Sequence, residues 1–345
     1  MKKHILSIFM AVILLFASAS CSVDVNNNRV IETDELRIHF IDVGQADCIL
    51  IELPTDEEIL IDAGNRDDSQ VIINYLEQLG IDDIEYFILT HPHEDHIGFA
   101  PAVLDYYDVE RVYMPDVAQD SQIYRDTIFS IENGETELIK AKAGTSIINS
   151  EDISFYVLAP NSMWYSETNE YSLVTRLTYK DTSFLFTGDA ESVSETEIIN
   201  AGYDIDSDLL KVGHHGGRTS TSQSFLDCVS PEYAVISVGK DNPYGHPHDE
   251  VLKRLNNSGA QTFRTDEMGS ITAVSDGNNI KIDKSQISES NNITNAKYVG
   301  NINSMKLHYP DCSSVKDMKD KNKRFFKSRD KAIKQGFTPC SICKP

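Results

Sequence analysis

The densest concentration of chemistry-bearing side chains is His91-Pro92-His93-Glu94-Asp95-His96, followed by Ile97-Gly98. Three imidazoles and the Asp95 carboxylate within six residues make a mixed N/O donor set of the kind that borderline divalent ions such as zinc select. His91 and His93, two apart, can project together from a turn toward one ion, while the adjacent Asp95 and His96 can face a second. A different pattern closes the chain: His308-x3-Cys312 and, after 27 intervening residues, Cys340-x2-Cys343. Four N/S ligands in two close pairs describe a structural tetrahedral zinc site. A segment of about 50 residues builds little core alone, so a metal staple is expected there.

These groups need strand ends and turns to hold them. Short β-branched runs at Leu36–Val43, Cys48–Leu53, Ile59–Asp62 and Glu85–Thr90 read as strands, the last delivering the histidine cluster. Later strands are expected at Val112–Met114, Phe155–Leu158, Leu173–Tyr179, Ser183–Phe186, Leu209–Val212, Tyr233–Val238, Gln261–Arg264, Ser270–Val274 and Asn279–Ile282. Helical periodicity falls at Val71–Leu79, Glu191–Ala201, Ser222–Cys228 and Asp249–Asn256. Many consecutive strands mixed with helices argue for an α+β fold, and no Gly-rich nucleotide loop is present. Cys48 in a strand pattern and Cys228 in a helix pattern read as buried thiols.

The chain has 345 residues and a formal net charge of −23, which argues against bulk electrostatic attachment to nucleic acid. The charge is uneven: Lys297–Pro345 carries 12 Lys and Arg against 4 Asp and Glu, or +8, leaving 19 against 50, or −31, elsewhere. Lys2 and Lys3 ahead of an apolar run from Ile5 to Phe16, then Ala17-Ser18-Ala19-Ser20-Cys21, read as an export signal over residues 1–21. Cys21 resembles a lipoprotein acceptor, with Ser18 where that motif usually has Leu. Residues 22–35 read as a tether, 36–283 as the main domain, 284–296 as a Ser/Asn-rich linker and 297–345 as the small basic module.

The cluster resembles the HxHxDH signature of the metallo-β-lactamase superfamily. Further stretches narrow the resemblance: Phe40-Ile41-Asp42-Val43-Gly44-Gln45-Ala46-Asp47, Leu60-Ile61-Asp62-Ala63-Gly64, Phe186-Thr187-Gly188-Asp189-Ala190, Leu210-Lys211-Val212-Gly213-His214-His215-Gly216 and Tyr244-Gly245-His246-Pro247-His248. In that order they are similar to the hydrolase domain of the ComEC competence proteins. The resemblance implies an αββα sandwich with two divalent ions, zinc or manganese, at one edge. His91 and His93 match ligands of the first ion, Asp95 and His96 of the second, Asp189 the bridging carboxylate, and His215 the remaining second-site histidine. His214 would then face the substrate, Asp95 would also orient the nucleophile and accept its proton, and His246 would donate to the leaving group, with His248 beside it. Asp62 would orient a ligand from beneath. The family's third first-site histidine has no counterpart between His96 and His214; Ala159 stands about where it would fall, so the first site is expected to be weaker.

Residues 297–345 resemble the zinc-binding domain of the Ada DNA-repair protein through Tyr298-Val299-Gly300-Asn301, His308-x-Pro310-x-Cys312, Phe326-x-Ser328, Gly336 and Thr338-Pro339-Cys340-x2-Cys343. His308 replaces the first cysteine of that domain, which removes its thiolate chemistry and leaves a structural role. The resulting expectation is an exported metal-dependent phosphodiesterase acting on nucleic acid, with the basic module touching DNA and any membrane contact made through the N-terminal signal or lipid. The alternatives are an envelope phosphodiesterase of the phosphocholine type and a DNA-capture protein without turnover.

Overall fold

The computed structural model describes residues 34–287, 295–319 and 322–345. The expected signal with Cys21, the tether up to residue 33, and residues 288–294 of the linker lie outside the described residues. Two sheets dominate. The first orders its strands Ile280–Lys284, Ile271–Ser275, Leu36–Phe40, Ile49–Glu52, Glu58–Ile61, Asp83–Ile88, Asp108–Met114, Glu137–Lys140. The second runs Gln261–Arg264, Tyr233–Ile236, Leu209–Lys211, Thr182–Phe186, Val174–Tyr179, Ile153–Ala159, Ser146–Asn149.

Period-two alternation divides each strand between two cores. Ile49, Ile51, Ile59 and Ile61 pack with Phe155, Phe184 and Phe186 of the second sheet, while Leu50 and Leu60 pack with the helix Ser69–Leu79 through Ile72 and Leu76. On the far side Leu185, Leu210 and Ala234 meet Ile198, Phe225 and Val251 from the helices Ser192–Ala201, Gln223–Val229 and Asp249–Ser258. The result is the expected four layers, helix–sheet–sheet–helix. Gly80 ends the first helix at φ 78, a left-handed cap that its missing Cβ permits.

The strand pairs Glu58–Ile61 with Asp83–Ile88, and Thr182–Phe186 with Leu209–Lys211 and then Tyr233–Ile236, are parallel. Their carboxyl ends therefore open on one edge. Asp62, His91, Asp189, His214, His215 and Ser237 all follow those ends.

Among the elements that escape the sequence reading are the helices Ala100–Tyr106 and Gln122–Asn133 and the strands Glu137–Lys140 and Ser146–Asn149. Every residue of Ala100–Tyr106 is buried, so it shows no amphipathic stripe. The expected burial of Cys228 is also corrected. Cys48 is buried, but Cys228 is exposed, because Phe225, Leu226 and Val229 turn their helix's apolar face inward and leave Cys228 on the other.

The basic module is not a separate body. Its four-stranded sheet, Lys323–Phe326, Tyr298–Asn301, Lys306–His308 and Thr338–Pro339, encloses a small core of Leu307, Phe326, Ala332 and Phe337. Val299, Val315, Met318 and Phe325 join the main domain's helical core instead. The two charge surpluses meet at this seam. Arg324 pairs through Nε with the buried Asp105 and donates through Nη2 to Ser130 Oγ at 2.7 Å and Pro101 O at 3.0 Å. Lys331 Nζ reaches Asp108 at 2.5 Å, and Lys327 Nζ lies 4.9 and 4.8 Å from the ring centres of Tyr106 and Tyr107. Part of the +8 is thus spent on intramolecular docking, a use that charge counting does not separate from binding nucleic acid.

Candidate metal centre

Asp95 and His96 stand on the short helix Glu94–Ile97, Asp189 on the turn after Thr182–Phe186, and His215 on the turn after Leu209–Lys211. One ligand atom from each lies within 4.8 Å of the other three. His96 Nε2 is 3.3 Å from Asp189 Oδ2 and 4.0 Å from Asp95 Oδ2; His215 Nε2 is 3.5 Å from Asp95 Oδ2 and 3.7 Å from Asp189 Oδ1.

The opposite edges of both rings are tied down. His96 Nδ1 donates to Asp62 Oδ2 at 2.7 Å and His215 Nδ1 to the Ser237 carbonyl at 3.0 Å, with Asp47 Oδ1 at 3.4 Å. Both Nδ1 atoms carry the proton, so both Nε2 lone pairs face the pocket. His96 Nε2, His215 Nε2 and Asp189 Oδ1 are buried without a hydrogen-bond partner. Leaving such atoms unpaired costs about 1–3 kcal/mol each, and two imidazoles with two carboxylates fit zinc or manganese. The residues fit the metal.

Electrostatics agree. Burial alone would raise the Asp189 carboxyl, but the imidazoles of His96 and His215 outweigh it and hold it well below the usual carboxylate range. Asp95 sits at about 2, where His96 and His215 again overcome burial. Against the pull of burial, Asp189, Asp62 and Asp95 lift His96 well above its ordinary value, and Asp189, Asp47 and Asp95 lift His215 to about 10. The pocket thus attracts cations, and protons and metal compete for the same Nε2 atoms.

His91 and His93 are not part of that cluster. His91 Nε2 is 4.0 Å from Asp189 Oδ2 and 3.0 Å from His93 Nδ1. Ala159, expected at the place of a third ligand, is buried at the end of its strand. His91 Nδ1 meets two hydroxyls, Thr90 Oγ1 at 3.2 Å and Ser172 Oγ at 3.3 Å, and the Ser172 Oγ also accepts from the Asp189 backbone N–H at 3.2 Å. A hydroxyl at this point steadies His91 and the Asp189 turn and adds no imidazole.

His214 lines the mouth, with Nδ1 3.0 Å from Glu191 Oε1 and Nε2 3.9 Å from Asp189 Oδ2. Burial opposes its charged form, but Glu191 and Asp189 raise its pKa overall. His246 is oriented by Gln45, whose Oε1 accepts from Gly239 N–H at 3.1 Å and whose Nε2 lies 3.4 Å from His246 Nδ1. Because that amide nitrogen can only donate, His246 Nδ1 accepts, and the proton of the neutral ring sits on Nε2. Burial and the neighbouring His214 and His215 lower His246 to about 4. His248 touches His246 edge-on, ring centres 4.8 Å apart, and its backbone N–H donates to Gly216 O at 3.0 Å.

Sequence reasoning assigned no role to Asp47, Lys211, Gln45, Ser172 or Glu191. Lys211 Nζ is fully buried and donates to Asp47 Oδ2 at 2.7 Å and Val212 O at 3.1 Å, beneath His215. The available signal was a lysine at the end of an otherwise apolar strand.

In the basic module His308, Cys312, Cys340 and Cys343 bring one ligand atom each within 4.8 Å, and His308 Nδ1 is buried without a partner. Backbone N–H groups point at sulfur, Ile342 N to Cys340 Sγ at 3.3 Å and Tyr309 N to Cys343 Sγ at 3.4 Å; they lower the Cys340 thiol, whereas burial pushes Cys343 up to about 11. Exchanging Cys340 and Cys343 for Ser is expected to lower bound zinc by one equivalent in elemental analysis; undiminished zinc would exclude this site.

A metal-ligand cluster at the strand ends of an αββα sandwich defines a metallo-hydrolase class of protein. Residues 41–240 match the Metallo-beta-lactamase superfamily, and residues 286–345 match the metal binding domain of Ada. The chain belongs to the metallo-β-lactamase superfamily and ends in an Ada-type zinc-binding domain. It is 32% identical over 256 residues to ComE operon protein 3 of Bacillus subtilis, covering 69% of this chain and 33% of that protein. It is 31% identical to Recombination protein 2 of Haemophilus influenzae (64% and 26% covered) and 27% identical to Competence protein ComA of Neisseria gonorrhoeae (70% and 33%). The chain thus spans a third or less of these relatives. Among the described residues no helix is long and apolar enough to cross a membrane.

Proposed function

We propose that this protein is an exported, metal-dependent phosphodiesterase that cuts nucleic acid. The observation that carries this reading is the convergence of unpartnered His96 Nε2, His215 Nε2 and Asp189 Oδ1 on one buried point, beside a neutral His246 that presents Nε2–H. A divalent ion bound there supplies Lewis acidity toward a phosphoryl oxygen and an activated water at neutral pH. Asp95, ionised and the most open of the four, would help hold the ion and offer a carboxylate oxygen that orients the attacking water. His214, backed by Glu191, binds a non-bridging phosphate oxygen, and His246 donates a hydrogen bond from Nε2–H to the leaving oxygen as its charge develops. Two ions are proposed, the one at His91 and His93 the weaker.

Nucleic acid is the favoured substrate because the relatives carry competence and recombination names. Lys297, Lys306, Lys316, Lys319, Lys334 and Lys344 are exposed on the basic module and would supply phosphate contacts. Export rests on the Lys2-to-Cys21 segment. The test is turnover of a generic phosphodiester and of DNA with added Mn²⁺ or Zn²⁺, compared with His93→Ala. Metal-dependent turnover that falls in the variant supports the reading. Tight DNA binding with no turnover in either protein would leave the capture reading, which the separation of His91 and His93 from the main cluster favours.

A further inference from the structure

We propose that Tyr244 is a stacking platform for the nucleobase next to the scissile phosphate. The inference deepens the phosphodiesterase reading and rests on it for the word scissile. Tyr244 is a large aromatic left 65% exposed, and it sits on a turn built to hold it there. Asn242 braces that turn from both ends of its amide: Nδ2 donates to Gly239 O at 2.9 Å and His246 O at 2.6 Å, while Oδ1 accepts from Tyr244 N at 3.2 Å and His246 N at 3.0 Å.

The ring continues a row that starts at the metal cluster. His215 and His246 are near parallel, 28° between planes and 6.5 Å between centres; His246 and Tyr244 follow at 30° and 5.7 Å. The row runs from His215, through the hydrogen-bond donor His246, to an open aromatic face. A substrate whose phosphate lies at the metal and His214 therefore carries its next flat group over Tyr244. Arg218 and Lys240, exposed on the two loops that bear His214 and His246, add positive charge to this rim of an acidic protein.

The geometry selects a planar group. Quaternary ammonium ions are recognised by several rings that enclose them, whereas single exposed rings serve bases, each of which has a π face. Trp164, also exposed, adjoins Tyr165, whose ring packs edge to face with Tyr171 at 5.0 Å and whose hydroxyl donates to Glu197.

The experiment uses the full-length, metal-loaded protein with single-stranded oligothymidylate and the same strand bearing abasic nucleotides. Tyr244→Ala is expected to raise KM for oligothymidylate roughly tenfold, to leave KM for the abasic strand and kcat for both unchanged, and Tyr244→Phe to behave as wild type. Equal losses on both strands, or none, would overturn the proposal. Calorimetry with thymidine 5′-monophosphate against 2-deoxyribose 5-phosphate reads stacking without turnover. If no strand is cut, the phosphodiesterase reading fails alone, and a nucleotide preference lost in Tyr244→Ala upholds the platform. Equal affinity for the two ligands, or a Tyr244-dependent preference for phosphocholine, overturns it.

Discussion

Asp189→Asn is expected to strip the metal from the main cluster and lower diester turnover by roughly a hundredfold or more, in a protein that still folds. The carboxylate faces four imidazoles: His96 at 3.3 Å, His215 at 3.7 Å, His214 at 3.9 Å and His91 at 4.0 Å. An amide keeps the shape but removes the charge that holds the ion, and the ion's charge stabilisation is worth several kcal/mol in such reactions. The same change removes the counter-charge of the buried His96 and His215 imidazoles, so thermal stability of the metal-free variant should fall. Metal content by elemental analysis and turnover on one sample separate these effects. Full occupancy with full activity would show that the cluster is not the catalyst.

The second large effect is structural. Lys211→Met is expected to destabilise the fold by about 3–5 kcal/mol, the usual range for breaking a buried ion pair from one side. Lys211 is the buried cation beside Asp47, whose carboxyl it holds well below the usual range against strong desolvation. Removing the ammonium leaves Asp47 charged in the interior, next to His215 at 3.4 Å. The paired replacement of Lys211 by Met and Asp47 by Leu should recover much of the loss, because apolar groups can stand in for both charges at once. Urea unfolding measures both variants. A single-variant loss under about 1 kcal/mol would mean that water or backbone already satisfies Asp47.

The framework of this molecule was legible in its sequence wherever period and punctuation were strong. The apolar run Val71–Leu79 closed by Gly80 appears as Ser69–Leu79, and Gln261–Arg264 appears as read. The superfamily resemblance named Asp95, His96, Asp189 and His215, and the fold brings them together because each follows a strand whose carboxyl end opens on the same edge. What failed to show was of two kinds. Ala100–Tyr106 is buried on all sides, so no polar face marked it as a helix. The supports of the site, Asp47 with Lys211 and Gln45 with His246, join residues 164 and 201 positions apart, and no local pattern encodes such pairs. The +8 of the last 49 residues was visible, but its division between docking to Asp105 and Asp108 and exposure on the surface needed the seam itself.

The most direct measurement is hydrolysis of single-stranded DNA by the full-length protein stripped of metal at the main cluster and then titrated with Mn²⁺ or Zn²⁺. The expected result is turnover that is absent before titration, rises with occupancy of the Asp95, His96, Asp189 and His215 site, and stays absent in Asp189→Asn. Stoichiometric metal uptake at those four residues with no cleavage of DNA or of a small diester would contradict the proposed function.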